Sequence, residues 1–394
     1  MHRIKTYNTI SAKGLERFER ERYEVGQDIA HPDALLLRSH KLQEAEILDS
    51  VTAIARAGAG VNNIPLAACS ERGIPVFNTP GANANAVKEL VAAAMLLASR
   101  DIVGGIAFAQ AQDPGMSAQD MNALMEQEKK RFAGAELAGK TLGVVGLGSI
   151  GSLVARQGLD FGMEVVGFDP ALSVEAAWRL PSEVQRMENV QSLFSRSDFV
   201  SLHLPVLDST RGLVNEEMLT HFKKGSCLLN FAREEIVLTE AVAAALDNGQ
   251  LRCYVADFPN PMLLGRTDAL LMPHIGASTA EAEENCAIMA ANQLKAFLKH
   301  GNIRNSVNFP AIELERTTDY RITIANRNEP GMLSHVLTLI GDEGLNVADL
   351  LNKSFGDVAY NIIDLDEVPQ EGLLSKIRTV EGVINLRLIE GTPG

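Results

Sequence analysis

Two side chains in this sequence are of types that hold oxygens and move protons, and each stands where a strand pattern ends. Arg233 closes Asn230-Phe231-Ala232-Arg233 behind the apolar run Cys227-Leu228-Leu229. Its planar, permanently charged fork suits a carboxylate and a ketone oxygen held together. His274 lies in Pro273-His274-Ile275-Gly276, and an imidazole takes up and returns protons near neutral pH. A third group is the glycines of Val144-Val145-Gly146-Leu147-Gly148-Ser149-Ile150-Gly151, set between an apolar strand and a helix pattern. That spacing predicts a turn that cradles a pyrophosphate. Gly146 makes the turn, Gly148 lets N–H groups approach the phosphates, and Gly151 lets the helix pack on the strand. The helix N-terminus adds favourable potential for anions. A second strand pattern, Glu164 to Phe168, ends on Asp169, eighteen residues past Gly151. A carboxylate there accepts from ribose hydroxyls and repels a 2′-phosphate, which predicts NAD rather than NADP.

These groups need a scaffold that brings strand ends together. From 33 onward, short apolar runs alternate with helical patterns: Asp33-Ala34-Leu35-Leu36-Leu37, Val51 to Ala55, then Ile74 to Phe77. A long apolar helix is expected from about Ala86 to Arg100, then a loop and an exposed helix over 111–135. A second α/β run follows from 141 to about 275. Such alternation predicts parallel sheets, whose ligands bind at the C-terminal strand ends. Arg56-Ala57-Gly58-Ala59-Gly60-Val61-Asn62-Asn63 adds a glycine turn of that kind, able to offer N–H groups to a carboxylate. An isolated Arg or His is more often a surface or satisfied core residue; joint placement on one sheet edge favours chemistry. Glu281 to Lys299 reads as a returning helix. From Tyr320 the pattern becomes strand, helix, strand, strand, helix, strand, which is a ferredoxin-like βαββαβ module.

Composition sets limits. The chain has 394 residues, 46% hydrophobic and 22% charged, which suits several globular domains. A net charge of −14 argues against nucleic-acid and anionic-membrane partners. The longest clean apolar run, Leu90 to Ala98, is too short to span a bilayer, and the first residues lack a signal-peptide core. Cys69, Cys227, Cys253 and Cys286 lie far apart, so buried thiols in a reducing cytoplasm are expected, with no metal site.

Taken together, the motifs resemble the D-isomer-specific 2-hydroxyacid dehydrogenase family. The matching blocks are Arg56–Asn63, Pro75 to Gly81, Gly139 to Gly151, Ser201-Leu202-His203-Leu204-Pro205, Asn230–Arg233 and Pro273–Ser278. The C-terminal module resembles an ACT domain, with Asn328-Glu329-Pro330-Gly331 at its first turn and Gly344-Leu345-Asn346-Val347 opening its next strand. Within the family this combination is similar to the members that oxidise 3-phosphoglycerate at the head of serine biosynthesis. The resemblance implies a doubly wound, flavodoxin-like substrate domain over 1–92 and 282–308, with a Rossmann-type NAD domain over 93–281 inserted in it. A linker over 309–318 and an ACT-like regulatory domain over 319–394 complete the expectation.

The resemblance also implies roles. Arg233 would bind the substrate carboxylate and C2 oxygen, and His274 would take the hydroxyl proton. Ser149, Ile150, His203, Phe231, Ala232, Asp257 and Gly276 would line the cofactor site with the glycines. The substrate would be held by Gly58, Ala59, Gly60 and Asn83, its phosphate by Arg38 and Ser39 with help from Arg56. Where the family carries a Glu that supports the catalytic His, this chain reads Asp257-Phe258-Pro259-Asn260-Pro261, so Asn260 stands in place of the acid. Asn orients an imidazole without supplying charge. Three readings stay open: a relay without an acid, replacement by Glu234, Glu235, Glu281 or Glu283, or an impaired, NAD-sensing relative. An L-serine effector site would involve Asn326, Asn328 and Asn346 in a homodimer or homotetramer. The enzymatic alternative is another dehydrogenase of the family acting on glycerate, lactate or a similar unphosphorylated acid.

Overall fold

The computed structural model describes residues Met1–Gly391, so the last three residues of the module expected over 319–394 lie outside the described residues. The chain divides into two compact units: Met1–Asn83 with everything from Ala280 onward, and Ala84–Thr279.

The first unit opens with five parallel strands: β1 (His2–Thr6), β2 (Tyr23–Gly26), β3 (Ala34–Leu37), β4 (Ala53–Arg56) and β5 (Val76–Phe77), in the order β2-β1-β3-β4-β5. Every residue of β3 is buried, as a parallel strand covered on both faces requires. Leu35, Leu37, Ile54 and Val76 pack on one face with Cys69 and Ile74, while Leu36, Ala53, Ala55 and Phe77 belong to the core of the other.

The second unit carries β6 (Thr141–Val145), β7 (Glu164–Phe168), β8 (Gln185–Arg186), β9 (Phe199–Leu202), β10 (Ser226–Asn230), β11 (Leu251–Ala256) and β12 (Ala269–Leu271). All pair in parallel in the order β12-β11-β10-β9-β6-β7-β8. The order reverses between β6 and β9, which opens the crevice where such sheets bind ligands. Helix α1 (Ala84–Ser99) belongs to this unit; Val87, Val91, Ala94 and Met95 recur at helical spacing and pack with Val144, Leu229 and Val255. Helix α2 (Ser149–Asp160) follows the glycine turn. The loop and exposed helix expected over 111–135 are present, the helix at Ala118–Glu128 capped by Ser117; the helix Ile102–Gln110, capped by Asp101, precedes them and was not expected. No single helix among the described residues is long and apolar enough to cross a membrane.

The chain returns to the first unit through α3 (Ala280–His300), whose Cys286, Ala287, Ala290, Leu294 and Phe297 complete the second core face of the first sheet. All four cysteines are buried free thiols. The C-terminal module holds β13 (Tyr320–Arg327), α4 (Met332–Asp342), β14 (Val347–Phe355), β15 (Val358–Leu365), α5 (Glu371–Arg378) and β16 (Val383–Glu390). Its strands are antiparallel in the order β14-β15-β13-β16. Ile322, Ile324, Ile363 and Leu365 face the helices α4 and α5, while Ala325, Tyr360 and Ile362 pack with Phe297 and Phe309. The sheet is therefore apolar on both sides, unlike a free-standing module of this kind. At its centre Arg321 and Asp364, both fully buried, form a two-pronged ion pair at 2.5 and 2.8 Å. Arg321 Nη1 also donates to the carbonyls of His300 and Leu314, tying β13 to the end of α3.

Candidate functional site

In the second unit the C-terminal ends of β6, β7, β9, β10, β11 and β12 deliver Gly146–Gly151, Asp169, His203, Phe231–Arg233, Asp257 and His274. Parallel pairing alone places these six groups on one edge of the sheet.

The glycine turn has the form a pyrophosphate needs. Gly146 sits at φ 88°, and a Cβ there would come within 2.5 Å of the His203 carbonyl oxygen. A Cβ on Gly151 would run into the Gly146 carbonyl, so α2 can approach β6 only with glycine at that position. Around Gly148 the space within 4 Å is open, as a cradle for phosphate must be. Asp169 accepts from Leu147 N–H at 2.8 Å and Ala171 N–H at 2.9 Å, fixing the loop from the neighbouring strand. Ser149 begins α2, and Ile150 packs against the core beneath. His203 shares a hydrogen bond of 2.8 Å between its Nε2 and Ser201, while its buried Nδ1 has no partner among the described residues. Burial pushes this imidazole down to about 3, so it is neutral at physiological pH. An open glycine cradle, a helix N-terminus and an unpaired buried nitrogen beside it together fit NAD. Asp169→Asn keeps one acceptor for the loop but removes the charge. The variant is expected to bind NAD about tenfold more weakly and to lose discrimination against NADP, read by fluorescence titration with both. Unchanged discrimination would contradict the role of the carboxylate.

Arg233 follows β10 on a turn clamped by Asn230. Asn230 is fully buried; its Oδ1 accepts from Ala232 N–H at 3.2 Å and its Nδ2 donates to the Arg233 carbonyl at 2.9 Å. Arg233 itself is exposed, donates to the Ala232 carbonyl at 2.6 Å, and makes no ion pair among the described residues. Its charge is available for an anion. Asn230 was legible only as part of a motif, and its clamp is the reason the motif begins there.

His274 follows β12, two strands from Arg233, roughly 10 Å across the sheet. It adopts φ 56°, a left-handed conformation unusual for a residue with a side chain. Asp257 holds it there: one oxygen accepts from Ile275 N–H at 2.8 Å, the other from Gly276 N–H at 2.7 Å. Asp257 is 3% exposed, so its observed work is to pin the histidine loop. Phe258 packs its ring 5.0 Å from the imidazole. Asn260 Oδ1 accepts from Met262 N–H, and Asn260 Nδ2 donates weakly to Glu234 at 3.4 Å. No carboxylate hydrogen-bonds the His274 ring among the described residues. Glu283, one of the acids weighed as a partner for it, lies in the first unit and pairs with Arg38.

That pairing belongs to the edge formed by β3 and β4. Arg38 and Ser39 follow β3; Arg56 ends β4 and donates Nε to the Arg38 carbonyl at 3.0 Å. Arg38 Nη2 donates to Glu283, on the first turn of α3, at 2.6 Å. Both side chains are substantially exposed, so the pair is readily exchanged for another anion. A Cβ on Gly58 would meet the Arg56 guanidinium, which would have to swing aside, and the residue's φ of 157° is one that L side chains rarely adopt. Asn78 donates to the Ala59 carbonyl at 2.6 Å, shaping the turn through Gly60. Asn83 ends the first segment of this unit, immediately before α1.

The three effector candidates are not gathered by one copy of the module. Asn326 is 4% exposed and committed to a ladder: it donates to the Arg327 carbonyl and accepts from Asn361, which in turn accepts from Asn352. Asn328 lies past the end of β13 that pairs with Val358, donating to the Gly356 carbonyl. Asn346 precedes the end of β14 that pairs with Leu365, donating to Asp366. Those two ends of β15 are roughly 20 Å apart.

The model of the family described as "D-isomer specific 2-hydroxyacid dehydrogenase, NAD binding domain" matches residues 93–276. A D-3-phosphoglycerate dehydrogenase of Haemophilus influenzae is 31% identical over 90% of this chain and 85% of its own length. One from Methanocaldococcus jannaschii is 32% identical over 90% of this chain, which spans 66% of that protein. A hydroxypyruvate reductase of Thermotoga maritima is 37% identical over 68% of this chain and 85% of its own length. The crystal structure of an NAD+-bound 3-phosphoglycerate dehydrogenase from Entamoeba histolytica superimposes with a TM-score of 0.60 at 25% identity, covering 79% of this chain and 99% of that one. The chain belongs to the D-isomer-specific 2-hydroxyacid dehydrogenase family and is an NAD-dependent oxidoreductase.

Proposed function

We propose that the protein oxidises D-3-phosphoglycerate to 3-phosphohydroxypyruvate. The observation that carries this reading is the reach of the likeness to the Haemophilus influenzae enzyme: at 90% of this chain it extends into the C-terminal module. The arginines at the β3 and β4 ends support it, since a phosphate needs a cation. NAD, when bound, supplies the acceptor for a hydride from C2. Arg233 holds the carboxylate and the C2 oxygen, and its charge stabilises that oxygen as its proton leaves. His274 accepts that proton, so the C–H and O–H bonds at C2 give way to a carbonyl. Asp257 keeps the imidazole in place by pinning its loop, and Phe258 walls one side of the ring. This relay runs without an acid on the histidine. Arg38 leaves Glu283, or shares itself, to meet the phosphate.

A second reading has its own support: over 68% of this chain the identity to the Thermotoga maritima hydroxypyruvate reductase is 37%, against 31% to the Haemophilus influenzae enzyme over 90%, and Arg38 is held by Glu283. An unphosphorylated hydroxyacid would then be the substrate. Following NADH absorbance with 3-phosphoglycerate, D-glycerate and D-lactate separates the two. We expect turnover with 3-phosphoglycerate, and an Arg38→Ala variant with kcat/KM lower by about tenfold or more, mostly through KM. Turnover confined to unphosphorylated acids favours the second reading; none with any acid favours a sensor. In the same assay L-serine is expected to slow the full chain but not one ending at residue 316.

A further inference from the structure

Away from those strand ends, a cavity of about 420 Å³ lies where the C-terminal module meets the first sheet. Four Arg and Lys side chains line it among the described residues: Arg22 before β2, Lys299 at the end of α3, Arg316 between α3 and β13, and Arg387 on β16, with the amino group of Met1 beside them. Glu21 and Glu390 also lie on its wall, both exposed. Among the described residues that line the cavity, basic side chains thus outnumber carboxylates, in a chain whose net charge is −14.

The two guanidiniums of the inner wall are held by neutral groups. Arg316, 8% exposed, donates Nε to the Thr318 carbonyl at 3.0 Å and Nη2 to the carbonyls of Asp319 and Ile389. Its Nη1 has no partner among the described residues. Arg387 donates Nη1 and Nη2 to the carbonyls of Phe297 and Leu298 at 3.4 and 3.1 Å and lies 4.3 Å over the Phe297 ring. Its Nε has no partner among the described residues. Asp33, Asp319 and Asp364 act on this pair only through space; Asp33 accepts from Arg3 N–H, and Asp364 is taken by Arg321. Two guanidinium forks with spare N–H donors thus line one cavity of small-molecule size, and forks of this kind suit the oxygens of a tetrahedral oxyanion.

We propose that this cavity binds a phosphate-type oxyanion, free or carried on a phosphomonoester, that bridges the module and the first sheet. Isothermal titration calorimetry of the full chain with inorganic phosphate tests it. The expected result is saturable binding below about 10 mM that weakens about tenfold or more in the double variant Arg22→Ala with Lys299→Ala. Arg38→Ala and Arg233→Ala leave it unchanged, which separates this cavity from the groups proposed to hold substrate. Arg387→Gln, folded by circular dichroism, loses the heat as well. A parallel titration with β-glycerophosphate distinguishes the source: tighter binding with the same variant pattern assigns a phosphorylated metabolite, and binding of phosphate alone assigns the free ion. No saturable heat, heat unaltered by the double variant, or heat lost in Arg38→Ala overturns the proposal.

Discussion

His274→Ala is expected to oxidise 3-phosphoglycerate about a thousandfold more slowly than the native chain, with NAD binding preserved. Removing the proton acceptor leaves the C2 hydroxyl to water, while the glycine turn and Asp169 remain intact. Asp257→Ala is the informative companion. Without its carboxylate, the N–H groups of Ile275 and Gly276 lose their acceptors, and His274 is left at φ 56° with only its N–H bond to the Met272 carbonyl and the Phe258 ring to hold it. Non-glycine residues at positive φ cost about 1–2 kcal/mol unless the surroundings enforce them. The loop should therefore relax, and kcat should fall about a hundredfold although the base is still present. Steady-state NADH formation gives both values. Were Asp257→Ala to bind NAD poorly at unchanged kcat, its carboxylate would be touching the cofactor rather than pinning the loop.

The second large effect is on stability. Asp364→Ala leaves Arg321 fully buried without its anion, and breaking such a pair costs about 3–5 kcal/mol. The loss includes the contacts of Arg321 with His300 and Leu314, because an unpaired guanidinium will draw water into the joint between β13 and α3. Replacing both partners, Arg321→Met with Asp364→Leu, should recover most of the loss, since apolar groups of that size need no solvation. Urea unfolding of the three proteins checks this. Equal destabilisation by the single and double variants would mean that the carbonyl contacts, not the ion pair, carry the stability.

What the sequence showed clearly was whatever depends on spacing along the chain. The glycine turn, the strand ending at Asp169 and the βαββαβ order could all be read, because strand and helix periods are local. β1 and β2 were not. His2–Thr6 buries only Ile4 and Thr6, and Tyr23–Gly26 only Tyr23, so neither makes an apolar run. Side-chain partners were the other blind spot. The family resemblance makes Asp257 a ligand of the cofactor; that it grips Ile275 and Gly276 depends on the loop after β12 folding back. Glu283 was a candidate for His274 on chain distance alone, yet α3 delivers it to Arg38. Asn326 looks free to meet an effector until the strand pairing sets it opposite Ala359, beside Asn361.

Helix α3 is 21 residues without a break, roughly 30 Å of rigid rod. Its first turn carries Glu283, the partner of Arg38; its last turn surrenders carbonyls to Arg321 and Arg387. The two ends cannot move independently. A tilt of about 2° set at the C-terminal module would shift Glu283 by about 1 Å, enough to weaken its hold on Arg38. The helix is a lever, and under the proposed function the contest between Glu283 and the substrate phosphate for Arg38 would be the weight on its far arm.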